Sequence, residues 1–185
     1  MHSLFYYMKR MYFERKFGFR YIARTFNVTE AREIGVKVGN DCRIYSVDFS
    51  SEPYLIEIGN HVTITDGVSF VPHDGAVWIF RGKEPEIELF GKITIGNNVF
   101  VGLNATILFN TIIGDNSVIA AGALVKGVFE PNSVIAGVPG RRICSVEEYY
   151  KKNKHKYSFF RSLTGERKRM AVLEKVNNST SEPNL

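Results

Sequence analysis

The sequence predicts an all-β solenoid, with short strands wound into three-sided coils and the coils stacked along one axis. Three observations lead there. Ile95, Val101, Ile107, Ile113, Ile119 and Val125 recur every six residues without a miss. Four positions after each aliphatic residue stands a small or β-branched one, as at Val99, Ala105, Thr111, Ser117 and Ala123. One position after it, glycine returns at Gly39, Gly59, Gly96, Gly102 and Gly114. Neither the 3.6-residue helix period nor strict alternation produces this pattern. A fixed internal period is the signature of a repeat architecture.

Each six-residue unit reads as a strand and a turn. The large aliphatic side chain points inward, the small residue fills a tight inward position, and glycine or asparagine takes the turn. Three units close one coil of about 18 residues, and stacked coils pair about 4.8 Å apart. A single unit cannot bury its aliphatic residue, whereas the stack builds a continuous core. Earlier registers repeat the pattern at Ile58, Ile64 and Phe70, with Val62 and Val68 at the small phase, and at Val38 and Ile44, with Cys42.

The chain has 185 residues, enough for one domain with its own core. Hydrophobic residues are 44% and charged residues 23%, which excludes a largely disordered chain. No apolar run approaches the roughly 18 residues of a membrane span. The N-terminal stretch has basic residues every few positions and no small-residue cleavage site, so a cytoplasmic location is expected. The two cysteines, Cys42 and Cys144, form no CxxC pair and indicate neither a disulfide framework nor a zinc site.

The net charge of +5 is unevenly spread: +5 over residues 1–43, −6 over 44–140 and +6 over 141–185. A nucleic-acid binder puts its basic stripe on the folded body, so nucleic acid is not an expected partner. The basic ends suit a smaller polyanion, a membrane surface or plain solvation.

The repeat breaks twice. Phe70 and Ile95 are 25 residues apart, which is not a multiple of six, and residues 76–92 fail the pattern. That stretch holds Trp78, Phe80, Arg81, Lys83 and Pro85. An aperiodic loop of this length in a compact domain is usually functional, and it begins directly after His73. From Ile44 to Ile58 the register slips by two residues near Asp48 to Tyr54. This smaller bulge either lines the same cleft or merely adjusts the register.

Solenoid ends need covers. Residues 1–33 are expected to form an N-terminal helical cap: an amphipathic helix, then a short one starting near Thr29 and ending at Gly35. Residues 34–143 form the prism, interrupted by the insertion at 76–92. Ser145-Val-Glu-Glu148 reads as a capping box that opens a C-terminal helical segment over 144–176. Residues 177–185 are expected to be a frayed tail. Residues 1–24 mix aromatics with Lys9, Arg10, Arg15, Lys16, Arg20 and Arg24. They serve either as the cap or as a weak membrane-interface anchor, which would place the chain at the inner membrane face.

The repeat, with Ser51-Glu-Pro-Tyr-Leu-Ile-Glu-Ile-Gly59, Val71-Pro-His-Asp-Gly-Ala-Val-Trp78, Ile95-Gly-Asn-Asn-Val-Phe-Val-Gly102 and Val134-Ile-Ala-Gly-Val-Pro139, resembles the hexapeptide-repeat acyltransferases over residues 34–143. The likeness is greatest to sugar and polysaccharide O-acetyltransferases of the maltose, galactoside and xenobiotic type. It implies a left-handed parallel β-helix, a homotrimer with sites between subunits, acetyl-CoA as acyl donor and a sugar or polysaccharide acceptor.

The resemblance makes His73 the general base that takes the proton of an acceptor hydroxyl, a task suited to an imidazole. Asp74, Trp78 and Arg81 are the acceptor-side candidates. Asp74 serves the acceptor, the loop or the His73 ring. Trp78 either stacks on a sugar or pins the loop. For the donor, the matching positions are Asn104, Ala121 and Gly122. The family's Thr-Lys pair is replaced by Lys126 and Gly127, while Arg141 keeps the later basic position; Lys126 and Arg141 are candidates for the donor's phosphates. No metal is expected, since the prism holds only His61 and His73. His61 sits mid-unit and is expected to face solvent. The alternatives are N-acetylation of an amino sugar, which needs the same base, and a scaffold without activity.

Overall fold

The structure, a computed structural model, describes residues 28–180. The predicted helix and membrane anchor over residues 1–24, and the end of the tail from 181, lie outside the described residues. The chain divides into two units, residues 1–149 and 150–185.

The first unit holds five stacked coils. The first coil carries β1 (Lys37–Val38), β2 (Arg43–Ile44) and β3 (Val47–Asp48); the second carries β4 (Ile56–Ile58), β5 (Thr63–Ile64) and β6 (Val68–Val71). The third has β7 (Ile93–Ile95), β8 (Phe100–Val101) and β9 (Thr106–Leu108), and the fourth β10 (Thr111–Ile113), β11 (Val118–Ile119) and β12 (Leu124–Val125). β13 (Val128–Phe129) and β14 (Ser133–Ala136) begin a fifth, which β15 (Arg141–Ser145) closes by pairing antiparallel with β14.

Successive strands visit three sheets in turn. The first face is β1-β4-β7-β10-β13, the second β2-β5-β8-β11-β14-β15, the third β3-β6-β9-β12. All coil-to-coil pairs are parallel, and the register places Ile58 against Ile95 and Ile95 against Ile113. On the second face Ile64, Val101, Ile119 and Ile135 stack in the same way. These inward side chains are fully buried, which is the core the six-residue period requires. Cys42 occupies the small inward phase, where burial pushes its thiol pKa up. The buried hydroxyls are all bonded: Thr111 to the Val125 carbonyl, Ser117 to that of Asp115 and Ser133 to that of Glu130.

The turn between the first and second faces is the same in every coil. Asp41, His61, Asn98, Asn116 and Asn132 all take a left-handed conformation there, with φ between 52° and 60°. Asparagine and aspartate tolerate it best. His61 is thus one rung of a turn ladder, with its Nδ1 2.8 Å from the Asn98 Oδ1 and its side chain 63% exposed.

Both breaks of the repeat fall on a different edge, between the third and first faces. After β3 the chain makes a short 3-10 turn at Pro53–Leu55; after β6 it leaves the prism until β7. The first break also begins earlier than the aliphatic pattern suggested. Phe49, five residues after Ile44, fills the inward site on the third face and stacks on Phe70 at 5.4 Å.

A helix over residues 28–33 precedes the prism and ends in Gly35, with φ 107°. Beyond β15, α1 (Val146–Asn153) starts with the expected reciprocal box: the Glu148 carboxylate accepts from the Ser145 N–H at 2.7 Å, and the Glu148 N–H donates to the Ser145 Oγ at 3.1 Å. α2 (Gly165–Thr180) runs past the expected end at residue 176. Among the described residues no helix is long and apolar enough to cross a membrane.

Candidate active site

The large insertion is held at its neck by a strip of antiparallel pairing. The Asp74 N–H donates to the Leu89 carbonyl at 2.9 Å, and the Gly91 N–H donates to that of Pro72 at 2.8 Å. His73 lies between them, bridged to Phe90. The extended backbone here sends successive side chains to opposite sides. The Asp74 side chain accordingly turns forward and accepts the Ala76 N–H at 2.9 Å, starting the 3-10 helix Gly75–Phe80.

His73 is instead oriented by a residue from the smaller bulge, one coil earlier on the same edge. Its Nδ1 lies 2.7 Å from the Glu52 Oε2. Glu52 precedes the 3-10 turn at Pro53–Leu55 without capping it, so its carboxylate is available to the imidazole. Its side chain is only 13% exposed and that of His73 33%. Burial works against ionisation of Glu52, but hydrogen bonds from His73 and Ser51 and the nearby His73 charge outweigh it. The carboxyl is held below its ordinary range. With Nδ1–H donating to this carboxylate, Nε2 of a neutral ring is left as the acceptor.

The two groups sit in an open cleft of about 260 Å³ that Asp74, Trp78, Arg81, Glu88 and Phe90 also line. The Arg81 guanidinium lies 5.7 Å from the centre of the Trp78 ring, which is 71% exposed. The structure therefore brings His73, Asp74, Trp78 and Arg81 together. It adds Glu52, which sequence reasoning did not single out; the two-residue slip between Ile44 and Ile58 was the signal that marked its segment.

The donor-side candidates are placed otherwise. Asn104, Ala121 and Gly122 lie on the edge between the second and third faces, and Arg141 follows that turn in the last coil. Asn104 is itself a left-handed turn residue, φ 56°. Lys126 is on the His73 edge, two coils further on, with its Nζ 3.8 Å from the centre of the Phe109 ring. Gly127 beside it has φ 111°, a conformation that a lysine side chain would strain. Among the described residues no group of three or more His, Cys, Asp or Glu side chains is placed to hold a metal.

A family model described as the hexapeptide repeat of succinyl-transferase matches residues 92–126. Protein CapG of Staphylococcus aureus is 46% identical over 164 residues, covering 87% of this chain and 95% of that protein. The galactoside O-acetyltransferase of Escherichia coli (strain K12) is 39% identical over 57% of this chain, which spans 50% of that enzyme. A hexapeptide-repeat containing acetyltransferase from Vibrio cholerae superposes with a TM-score of 0.51 at 21% identity, over 66% of this chain and 81% of the other.

Proposed function

The chain belongs to the hexapeptide-repeat acyltransferase family, and from that premise we propose that it moves an acetyl group from acetyl-CoA to a hydroxyl of a sugar or polysaccharide precursor. The observation that carries the reading is the Glu52–His73 pair, 2.7 Å apart at the foot of the insertion. His73 Nε2 takes the acceptor hydroxyl's proton as that oxygen attacks the thioester carbonyl. The tetrahedral intermediate collapses, the carbon–sulfur bond breaks, and the imidazolium returns the proton to the departing thiolate of CoA. Glu52 is a positioning residue: it fixes the ring and stabilises the imidazolium between the two proton transfers. Asp74, Trp78 and Arg81 hold the acceptor from the loop side, the Trp78 ring offering a face for a sugar to stack on.

Asn104, Ala121, Gly122 and Arg141 line the donor path, and Lys126 meets its phosphates. Within one prism these groups are split across the two margins of the third face. A donor that touches both sets is best accommodated between two prisms, which supports assembly as a homotrimer of about 63 kDa, three times the chain's 21.0 kDa; the left-handed winding of the solenoid belongs to this reading through the family. The enzyme works in the cytoplasm, where acetyl-CoA is available.

The test is product analysis with acetyl-CoA and paired hydroxyl and amino sugars. Alkali-labile acetyl esters are expected. An acetylated amine as sole product overturns O-acetylation in favour of N-acetylation. Absence of acetyl-CoA binding by calorimetry overturns acyl transfer and leaves a scaffold.

A further inference from the structure

The C-terminal unit carries a basic, aromatic stretch that contributes none of the residues lining the cleft. Residues 150–165 contain no acidic side chain, yet they hold Lys151, Lys152, Lys154, Lys156 and Arg161, interleaved with Tyr150, Tyr157, Phe159 and Phe160. α1 ends at Asn153 and a 3-10 turn, Lys154–Lys156, follows. The Tyr157 ring then packs back on Tyr150, with centroids 5.6 Å apart. This reversal gathers the lysines of the turn and the aromatic run after it into one compact stretch. Lys152, Lys154, Lys156 and Arg161 are exposed, and among the described residues none has a carboxylate within ion-pair distance. Phe159 is 85% exposed, more than any other large apolar side chain among the described residues.

Two costs stand out in this segment: an exposed phenylalanine, and the exposed cations Lys152, Lys154, Lys156 and Arg161 with no acidic residue between them in sequence. An anionic bilayer relieves both. Its headgroups neutralise the cations while the interface takes up the phenylalanine and the amphipathic tyrosines. A nucleic acid answers the cations but offers no apolar interior for the exposed Phe159 to enter. We propose that residues 151–161 dock the protein on an anionic lipid surface. Among the described residues no helix is long and apolar enough to span a membrane, so docking of this kind is interfacial.

Sedimentation of the full-length protein with vesicles tests this. Vesicles of phosphatidylcholine alone are compared with vesicles of roughly one part phosphatidylglycerol to two of phosphatidylcholine, at low and physiological salt. Binding is expected to the anionic vesicles only, weakening as salt rises. The combined variant Lys152→Glu, Lys154→Glu, Lys156→Glu should lower it by about tenfold or more. Phe159→Ser, a single exposed change that leaves the fold intact, should lower it several-fold by itself. Neither variant should alter acyl transfer to a water-soluble acceptor. Equal binding to neutral vesicles, or wild-type binding by both variants, overturns the proposal. Retention on single-stranded RNA with none on anionic vesicles does so in favour of a nucleic-acid surface.

Discussion

Two edges of the same prism are built on opposite plans. Between the first and second faces, every coil turns in the same way, and the first four turns are tied in series by side chains. The N–H groups of Asn40, Asn60 and Asn97 donate to the carboxamide or carboxylate oxygens of Asn60, Asn97 and Asp115 one coil on, at 2.8, 2.9 and 2.6 Å. Between the third and first faces no two of the first three turns agree in length, and there the cleft forms. The difference shows how a solenoid acquires chemistry. The core needs only its inward aliphatics, so a turn can lengthen without disturbing it. Where two neighbouring turns both lengthen, as at Glu52 and His73, side chains from different coils meet off the prism.

The sharpest contrast is between the two histidines of the prism, one on each edge. His73→Ala is expected to lower turnover roughly 10²–10⁴-fold, the usual worth of a general base. His61→Asn puts at the turn the residue type found in the next two coils and should leave turnover unchanged. Steady-state kinetics on both variants checks the pair; a large loss with His61→Asn and none with His73→Ala would exchange the roles of the edges.

A smaller effect separates glycines of the two edges. A Cβ on Gly59 would lie 2.7 Å from the Gly96 carbonyl oxygen, part of the backbone of the next coil, so the coils must shift to admit it. Gly59→Ala should cost about 1–3 kcal/mol of stability. Gly82, in the insertion, has nothing within 4 Å of the same position, and Gly82→Ala should change stability by less than about 0.5 kcal/mol. Denaturant unfolding measures both; equal losses would show that the loop is as tightly constrained as the ladder.

The smallest expected effect is acid sensitivity, shared by the two edges. Asp115 is held below the ordinary carboxyl range chiefly by the Asn97 N–H, and Glu57 by its hydrogen bond from Lys37. Glu52 is held low by His73 and Ser51 against burial. Each of these folded pKa values is depressed. Their stabilisation is therefore present above the ordinary carboxyl values, near 4, and is lost as pH falls below them. Thermal melts should be level from pH 7 to about 5 and fall below about 4. Asp115→Asn should flatten that fall slightly.

The fold was legible because the period is carried by side chains that point inward, and Ile95 to Val125 keep it without interruption. The insertion was legible for the same reason, as a failure of the period beginning after His73. The turn role of His61 was not: a left-handed φ at one turn position becomes visible only once Asp41, Asn98 and Asn116 are seen to share it. Glu52 was hidden by register. With Phe49 taking the inward site one residue early, the bulge that carries Glu52 is three residues long in effect, not two. Nothing in a single sequence shows which side chain of such a bulge turns toward the next coil. The donor-side residues were placed by resemblance alone, and the separation of Asn104, Ala121 and Gly122 from His73 across the third face follows from the topology.

The role of His73 as base depends most directly on the Glu52–His73 contact, and kcat for Glu52→Ala tests it. A drop of roughly 10–100-fold is expected, at or below the 10²–10⁴-fold worth of the base itself, with KM for both substrates unchanged and the melting temperature lowered only slightly by the loss of the contact. Glu52→Gln, which keeps an acceptor oxygen but not the charge, should fall between Glu52→Ala and wild type. A Glu52→Ala enzyme with wild-type kcat would contradict a catalytic role for the pair.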